Sequence, residues 1–353
     1  LIGKDLASFL KWNLFNYFEI DNVKKLLFVF ILFISSICAA PSSIILEEFI
    51  FMNPSFASCH ASTLTEAQGG EILCAWFAGS EEGGEDVKIW MARKNKKGWS
   101  LPVVVAEEER PCWNPVLYTM PSGDILLFYK AGAHPQVWSG FVKRSIDGGN
   151  TWLNSFDLPA GIMGPVKNRP LLLDSGALLC GSSIESWRRW GCWIDITSDL
   201  GATWRKSSPI NVDTQLFGII QPVLVFSGNQ IRLLARSHQI GYICTAESSD
   251  SGLTWSIASP TNLPNPNSSI DAINLSDGRV LLVYNHSNEN RYPLNIALSS
   301  DGGKTWDMKL ILETEPGEFS YPCVIQTKDK LVHISYTWNR INIKHVVLDP
   351  TLL

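Results

Sequence analysis

Ser299-Ser300-Asp301-Gly302-Gly303-Lys304-Thr305-Trp306 is the stretch whose reading decides the fold, because the chain repeats it. The same spacing of Asp, Gly, Thr and Trp occurs in Ser145-Ile146-Asp147-Gly148-Gly149-Asn150-Thr151-Trp152, Thr197-Ser198-Asp199-Leu200-Gly201-Ala202-Thr203-Trp204 and Ser248-Ser249-Asp250-Ser251-Gly252-Leu253-Thr254-Trp255. The four aspartates lie 52, 51 and 51 residues apart, and a degenerate fifth copy ends at Trp99. A fixed period of this size marks a repeat architecture, one supersecondary unit stacked many times.

Working outward from the boxes, each is preceded by a short strand-like run and, before that, by a more apolar one. The apolar runs are residues 70–76, 123–129, 176–180, 230–236, 278–284 and 330–336, most of them opened by a Gly turn. Short strands bounded by turn residues at this density predict an all-β chain, and four strands per repeat is the unit of a propeller blade. Six runs predict a six-bladed β-propeller over about 45–353, closed by N- and C-terminal strands sharing one blade so that its edges are protected. Each box supplies one carboxylate, too few for a calcium loop, so the boxes read as turns. Asp accepts backbone N–H bonds there, and Trp packs between blades. Trp152, Trp204, Trp255 and Trp306 are expected to be buried or mostly buried, on the side away from any site. No metal site and no cofactor is expected.

Composition agrees with a packed core. Of 353 residues, 45% are hydrophobic and 18% charged, which excludes disorder. A net charge of −5 points away from a nucleic-acid partner, which calls for a basic surface. Near the N-terminus, Lys24-Lys25, the apolar residues 26–34 and the small residues ending at Ala40 follow the order of a secretory signal peptide. Cleavage after Ala40 leaves residues 41–353 as a single domain with no integral membrane span, secreted or periplasmic. Residues 1–22 fit no part of such a leader, which makes Val23 a candidate start. The seven cysteines beyond it are scattered singly without a CxxC pair, so they read as small core residues.

The repeated segments are Asp boxes, and the chain over about 45–353 resembles the sialidase (neuraminidase) superfamily. The resemblance implies an exo-glycosidase for an anionic terminal sugar. Three arginines would hold the substrate carboxylate, a Tyr activated by a Glu would be the nucleophile, and an Asp on a first-blade loop would be the acid/base. A Tyr suits an anionic sugar because a carboxylate nucleophile would meet the substrate's own charge. Arg236 and Arg291 take two arginine positions, and Tyr321, in Phe319-Ser320-Tyr321-Pro322, takes the nucleophile's. Two positions depart from the pattern. Gln221 stands in place of the Glu and cannot take up a proton, so it is expected within reach of Tyr321 as an orienting group. His60 or a neighbour stands in place of the first arginine. The loop Glu81-Glu82-Gly83-Gly84-Glu85-Asp86 offers four carboxylates, of which Asp86, next to the following strand, is taken as the acid/base.

Asn114, Lys130, Lys167, Arg169 and Asn285 recur at strand positions matching those of the site residues. Lys130, Lys167, Arg169, Arg236 and Arg291 would form a cationic centre in an acidic protein, suited to orienting a carboxylate. The expected catalytic group is therefore Tyr321, Asp86, Gln221 and His60, and the expected substrate-binding group is Arg236, Arg291, Arg169, Lys130 and Asn114. The leading reading is an exported sialidase-like glycosidase whose partner is an anionic glycan. Gln221 keeps two others open: a uronate-type lyase and a non-catalytic carbohydrate-binding propeller.

Overall fold

The computed structural model describes residues 42–213 and 217–353. The leader predicted within 1–40 lies outside the described residues. Six antiparallel sheets follow one another along the chain as the blades of a propeller. Blade I holds Ser58–Glu66, Ile72–Gly79, Lys88–Asn95 and Gly98–Trp99, with Val103–Ala106 as an added edge. Blade II holds Cys112–Thr119, Ile125–Ala131, Ser139–Ser145 and Phe156–Asp157, and blade III Leu171–Leu172, Leu178–Glu185, Trp190–Thr197 and Arg205–Lys206. Blade IV holds Gly218–Ser227, Gln230–His238, Tyr242–Ser248 and Ser259–Pro264, and blade V Asp271–Asn274, Val280–Asn285, Leu294–Ser299 and Asp307–Glu313. Among the described residues, no helix is long and apolar enough to cross a membrane.

Blade VI is built from both ends of the chain. Phe319–Gln326, Val332–Trp338 and Asn342–Leu348 pair in order, and Ile44–Phe49 adds itself outside them, from Ile44 opposite Leu348 to Phe49 opposite Lys344. The ring is thereby closed by main-chain hydrogen bonds between sequence-distant strands, as expected, and the last blade keeps no bare third-strand edge.

The apolar runs of the sequence are the second strands. Each lies between the first and third of its blade and is covered on both faces by neighbouring blades, so Ile72–Gly79 and Ile125–Ala131 are buried at every residue. Burial on both faces replaces period-two alternation with a continuous apolar run. The seven cysteines among the described residues are all buried free thiols.

The Asp boxes follow the third strands, beside the starts of the second strands: Ser145 lies opposite Ile125 and Ser299 opposite Val280. In the first box, Asp147 accepts from the Thr151 amide at 2.9 Å and hydroxyl at 2.6 Å, and Ser145 accepts from Gly149 N at 2.7 Å. The other three boxes repeat this pattern. These donors hold Asp147 and Asp250 at about 2. Each box leans on the preceding blade. The Trp204 ring of blade III meets Phe128 of blade II edge-on at 6.3 Å, and Trp152, Trp255 and Trp306 pack against cores shared with the blade before. The four tryptophans are half-buried. One face of each indole lies on the neighbouring core while the box itself stays at the solvent-facing rim.

Candidate functional site

The site grows from a repeated defect in the first strands. In blades I, II, IV and VI the pairing register slips at His60/Thr63, Trp113/Val116, Ile220/Val223 and Ser320/Cys323. At each slip one residue is left-handed: Ala61, Asn114, Gln221 and Tyr321, with φ of 55°, 34°, 53° and 52°. Three of them precede proline, which cannot donate to the ladder and so settles at bulges. A bulge re-aims a side chain and is a strained position that the surrounding structure must hold.

The holding comes from equivalent positions on the second strands, each reaching to the next blade. Thr337 of blade VI accepts from Ala61 N at 3.1 Å, and Ser183 of blade III accepts from Gln221 N at 3.1 Å. Asn285 of blade V donates to Phe319 O at 3.0 Å, and Lys130 of blade II donates to Pro165 O of the segment leading into blade III. A floor lies below. Lys167 donates to Pro322 O at 2.6 Å, and Asn168 donates to Gln221 O at 3.0 Å. The dipeptide Lys167-Asn168 thus ties down both bulges that carry the expected nucleophile and its neighbour.

Arg236 occupies the same position in blade IV and does two things. Its Nε donates to Asn267 of blade V at 2.9 Å, while its NH1 donates to Gln221 Oε1 at 3.1 Å and to Tyr321 Oη at 3.0 Å. Gln221 Nε2 donates to the same phenol oxygen at 3.4 Å, a long contact. The guanidinium of Arg291 lies 5.8 Å from the Tyr321 ring centre, as does that of Arg236. His60 packs on the other side, its ring 4.2 Å from that of Tyr321. Burial pushes the His60 imidazole well below its ordinary value, and the charges of Arg340, Arg291 and Arg236 push the same way, so it is neutral. Neither of its nitrogens has a hydrogen-bond partner.

A third arginine arrives from a place the sequence reading passed over. Arg340 sits with Asn339 in the turn of the last hairpin, both left-handed, and the backbone carbonyl of Arg340 accepts from Cys59 N at 2.8 Å, next to His60. Its Nε donates to Glu318 Oε2 at 2.8 Å and its NH1 to Glu82, while Arg291 donates to the other oxygen of Glu318 at 2.7 Å. Burial pushes Glu318 up, but the hydrogen bond from Arg340 and the charge of Arg291 outweigh it and leave the carboxyl below the ordinary range. The available signal was the dipeptide Asn339-Arg340 between two strand runs, a hairpin turn at the strand ends that carry Arg236. Arg340 of blade VI thus brings a guanidinium to the side of His60 on blade I.

Other expected members go elsewhere. Lys130 is fully buried, bonded to Pro165 O, and burial pushes its ammonium down to about 7, so it latches blades II and III. Arg169 lines a cavity of about 330 Å³ with Thr65, Thr119, Gln326 and Lys328, residues at the far ends of the first strands. It therefore does not join Arg236 and Arg291. Asn114 is buried in the blade II bulge and makes no hydrogen bond to the Arg236–Tyr321 group. Asp86 is exposed and accepts from Ser80 N at 2.9 Å and Ser80 Oγ at 2.7 Å. Those bonds, the Ser80 hydroxyl first, hold it below the usual carboxylate range, the wrong direction for a proton donor. From that loop it is Glu82 that reaches the arginines.

The assembled group can grip an oxyanion. Three guanidiniums, held by two carboxylates and a phenol, present bidentate donors at one mouth of the axis. No cluster among the described residues has the makings of a metal site.

Comparisons with known proteins agree with this architecture. No curated protein matches the sequence at a significant level. Among solved structures, a protein of unknown function from Dyadobacter fermentans is 19% identical with a TM-score of 0.75, covering 87% of this chain and 98% of its own. The Hadza microbial sialidase Hz136 is 17% identical with a TM-score of 0.72, covering 84% of this chain and 66% of its own. The NanB sialidase from Streptococcus pneumoniae is 14% identical with a TM-score of 0.70, covering 88% and 71%. At these identities the likeness is one of fold. The BNR repeat-like domain matches residues 70–334, three quarters of the sequence. With six blades and four Asp boxes, the chain belongs to the BNR repeat-like domain family, and its fold is that of the sialidase propellers it resembles.

Proposed function

We propose that the protein is an exported glycoside hydrolase that releases a terminal sugar bearing a carboxylate, sialic acid or a close relative, from a glycan. The observation that carries this reading is the convergence of Arg236, Arg291 and Arg340 around Tyr321 and Glu318. The guanidiniums would bind the carboxylate, and Tyr321 would meet the anomeric carbon. Charge developing on its oxygen faces the NH1 of Arg236 and the amide of Gln221. Gln221 gives weight to a second reading, a propeller that binds the same sugar without turning it over, because the phenol has no carboxylate beside it to take its proton.

One assay separates the two. The protein is incubated with sialyl and uronyl glycosides, and products are identified by mass. Hydrolysis adds water, a lyase leaves an unsaturated sugar, and a binder changes nothing while still retaining the ligand. Tyr321→Phe should abolish hydrolysis. Turnover that survives this substitution, or the absence of both turnover and binding, refutes the proposal. Appearance of the protein in the culture medium or periplasm tests export.

A further inference from the structure

We propose that Glu185 is the proton donor of this site, a half-buried, unpaired carboxyl that blade III holds on the face turned toward Gln221 and Arg236; the assignment rests on the hydrolytic reading above. Two contacts fix that face. Ser183, two residues earlier on the same strand, accepts from Gln221 N at 3.1 Å. Residues two apart share a face of a strand and lie roughly 6.6 Å apart along it, so Glu185 projects on the Gln221 side, one step nearer the hairpin end. Its cross-strand partner is Trp190, whose ring lies 5.9 Å from the Arg236 guanidinium.

The other carboxyls of this end are committed or solvated. Glu318 and Glu82 are bonded to arginines, Asp86 is held by Ser80, Glu85 lies 3.8 Å from Arg110, and Glu81 is exposed. The Glu185 carboxyl has no hydrogen bond or ion pair among the described residues. Burial pushes its carboxyl up, Glu82 pushes the same way, and Arg236 opposes them. His238, stacked edge-on against Trp190 at 4.9 Å, and the exposed Arg188 and Arg189 at the hairpin tip complete the charged and titratable surroundings. In the step assigned to it, the proton of Glu185 passes to the glycosidic oxygen, which keeps the bonding pair as the C–O bond breaks. The carboxylate regains a proton from the water whose hydroxyl completes the sugar.

The test compares the native protein with Glu185→Gln on 3′-sialyllactose, whose leaving oxygen needs a proton, and on an aryl sialoside, whose phenolate leaves unaided. A lost general acid costs about 100-fold or more. The loss is expected on the first substrate and less than about 10-fold on the second, with the alkaline limb of the native pH profile removed. Equal losses on both substrates, or an unchanged alkaline limb, overturn the assignment. Carbon NMR titration of labelled glutamate carboxyls reads the same group without turnover. A resonance titrating above the ordinary range and absent from Glu185→Gln is expected. Turnover by a protein whose Glu185 titrates in the ordinary range overturns this assignment alone. Absence of turnover on every substrate overturns the hydrolytic reading and the assignment with it.

Discussion

Arg340→Ala removes one of three guanidiniums while leaving the blades untouched, which makes it the sharpest probe of the anion site. Arg340 stands at the tip of the last hairpin with its side chain 30% exposed, bonded to Glu318 and Glu82. Ion pairs this open to water are worth about 0.2–1 kcal/mol each to folding, so the variant should lose less than about 2 kcal/mol of stability and remain folded. Binding is a different matter. A charge-assisted hydrogen bond to a desolvated carboxylate is worth about 1.5–3 kcal/mol, and at about 1.4 kcal/mol per decade the loss is roughly 10- to 150-fold in Kd. Titration of native and variant protein with an unsaturated sialic acid analogue, followed by calorimetry, measures it. Glu318, relieved of one donor, should move up toward its ordinary value. The reference variant is Arg169→Ala, whose side chain lines the cavity at the far ends of the strands and whose loss should leave Kd unchanged. If Arg340→Ala binds within twofold of native, or if Arg169→Ala weakens binding as much, the three-arginine site is wrong.

Gln221→Glu places a carboxylate beside the Tyr321 oxygen and Arg236, and should raise kcat on a sialoside by about 10-fold; an unchanged or lower kcat shows that removal of the phenolic proton is not limiting. His333 meets His345 at 3.0 Å, which in turn meets Glu48 at 2.9 Å, and burial pushes His333 down to about 4 from an ordinary 6.5. The unfolded chain then binds the proton that the folded chain refuses, so this contribution is full above pH 6.5 and falls by about 3 kcal/mol as pH drops to 4. His333→Gln should flatten the urea midpoint over that window, and an unaltered slope refutes the assignment. Trp204→Ala should cost about 2 kcal/mol, less than for a fully buried indole, since Trp204 is half-buried against Phe128. A loss of activity with full stability retained would reverse the structural role given to the boxes.

The sequence by itself determined the architecture, because the features that set it are local and repeated. A turn such as Ser145-Ile146-Asp147-Gly148-Gly149 satisfies its own donors within a few residues, so it can be read without knowing its neighbours. The continuous apolar second strands likewise declare burial on both faces, and their number gave the blades. Gln221 next to Tyr321 was legible too, through the strand position each occupies. What a cationic side chain does was not. Lys130 and Arg236 hold the same position in blades II and IV, yet one bonds to a carbonyl between blades and the other reaches the phenol. The difference lies in what the next blade offers across the gap, Pro165 O in one case and Asn267 in the other. Arg169 and Tyr321 both precede a proline, yet Arg169 lines the far cavity and Tyr321 meets Arg236. Arg340 and Glu185 belong to hairpin ends from different blades, and only closure of the ring brings such ends to one mouth. Periodic patterning fixes which strands form, whereas the direction of a polar side chain at the axis depends on partners hundreds of residues away.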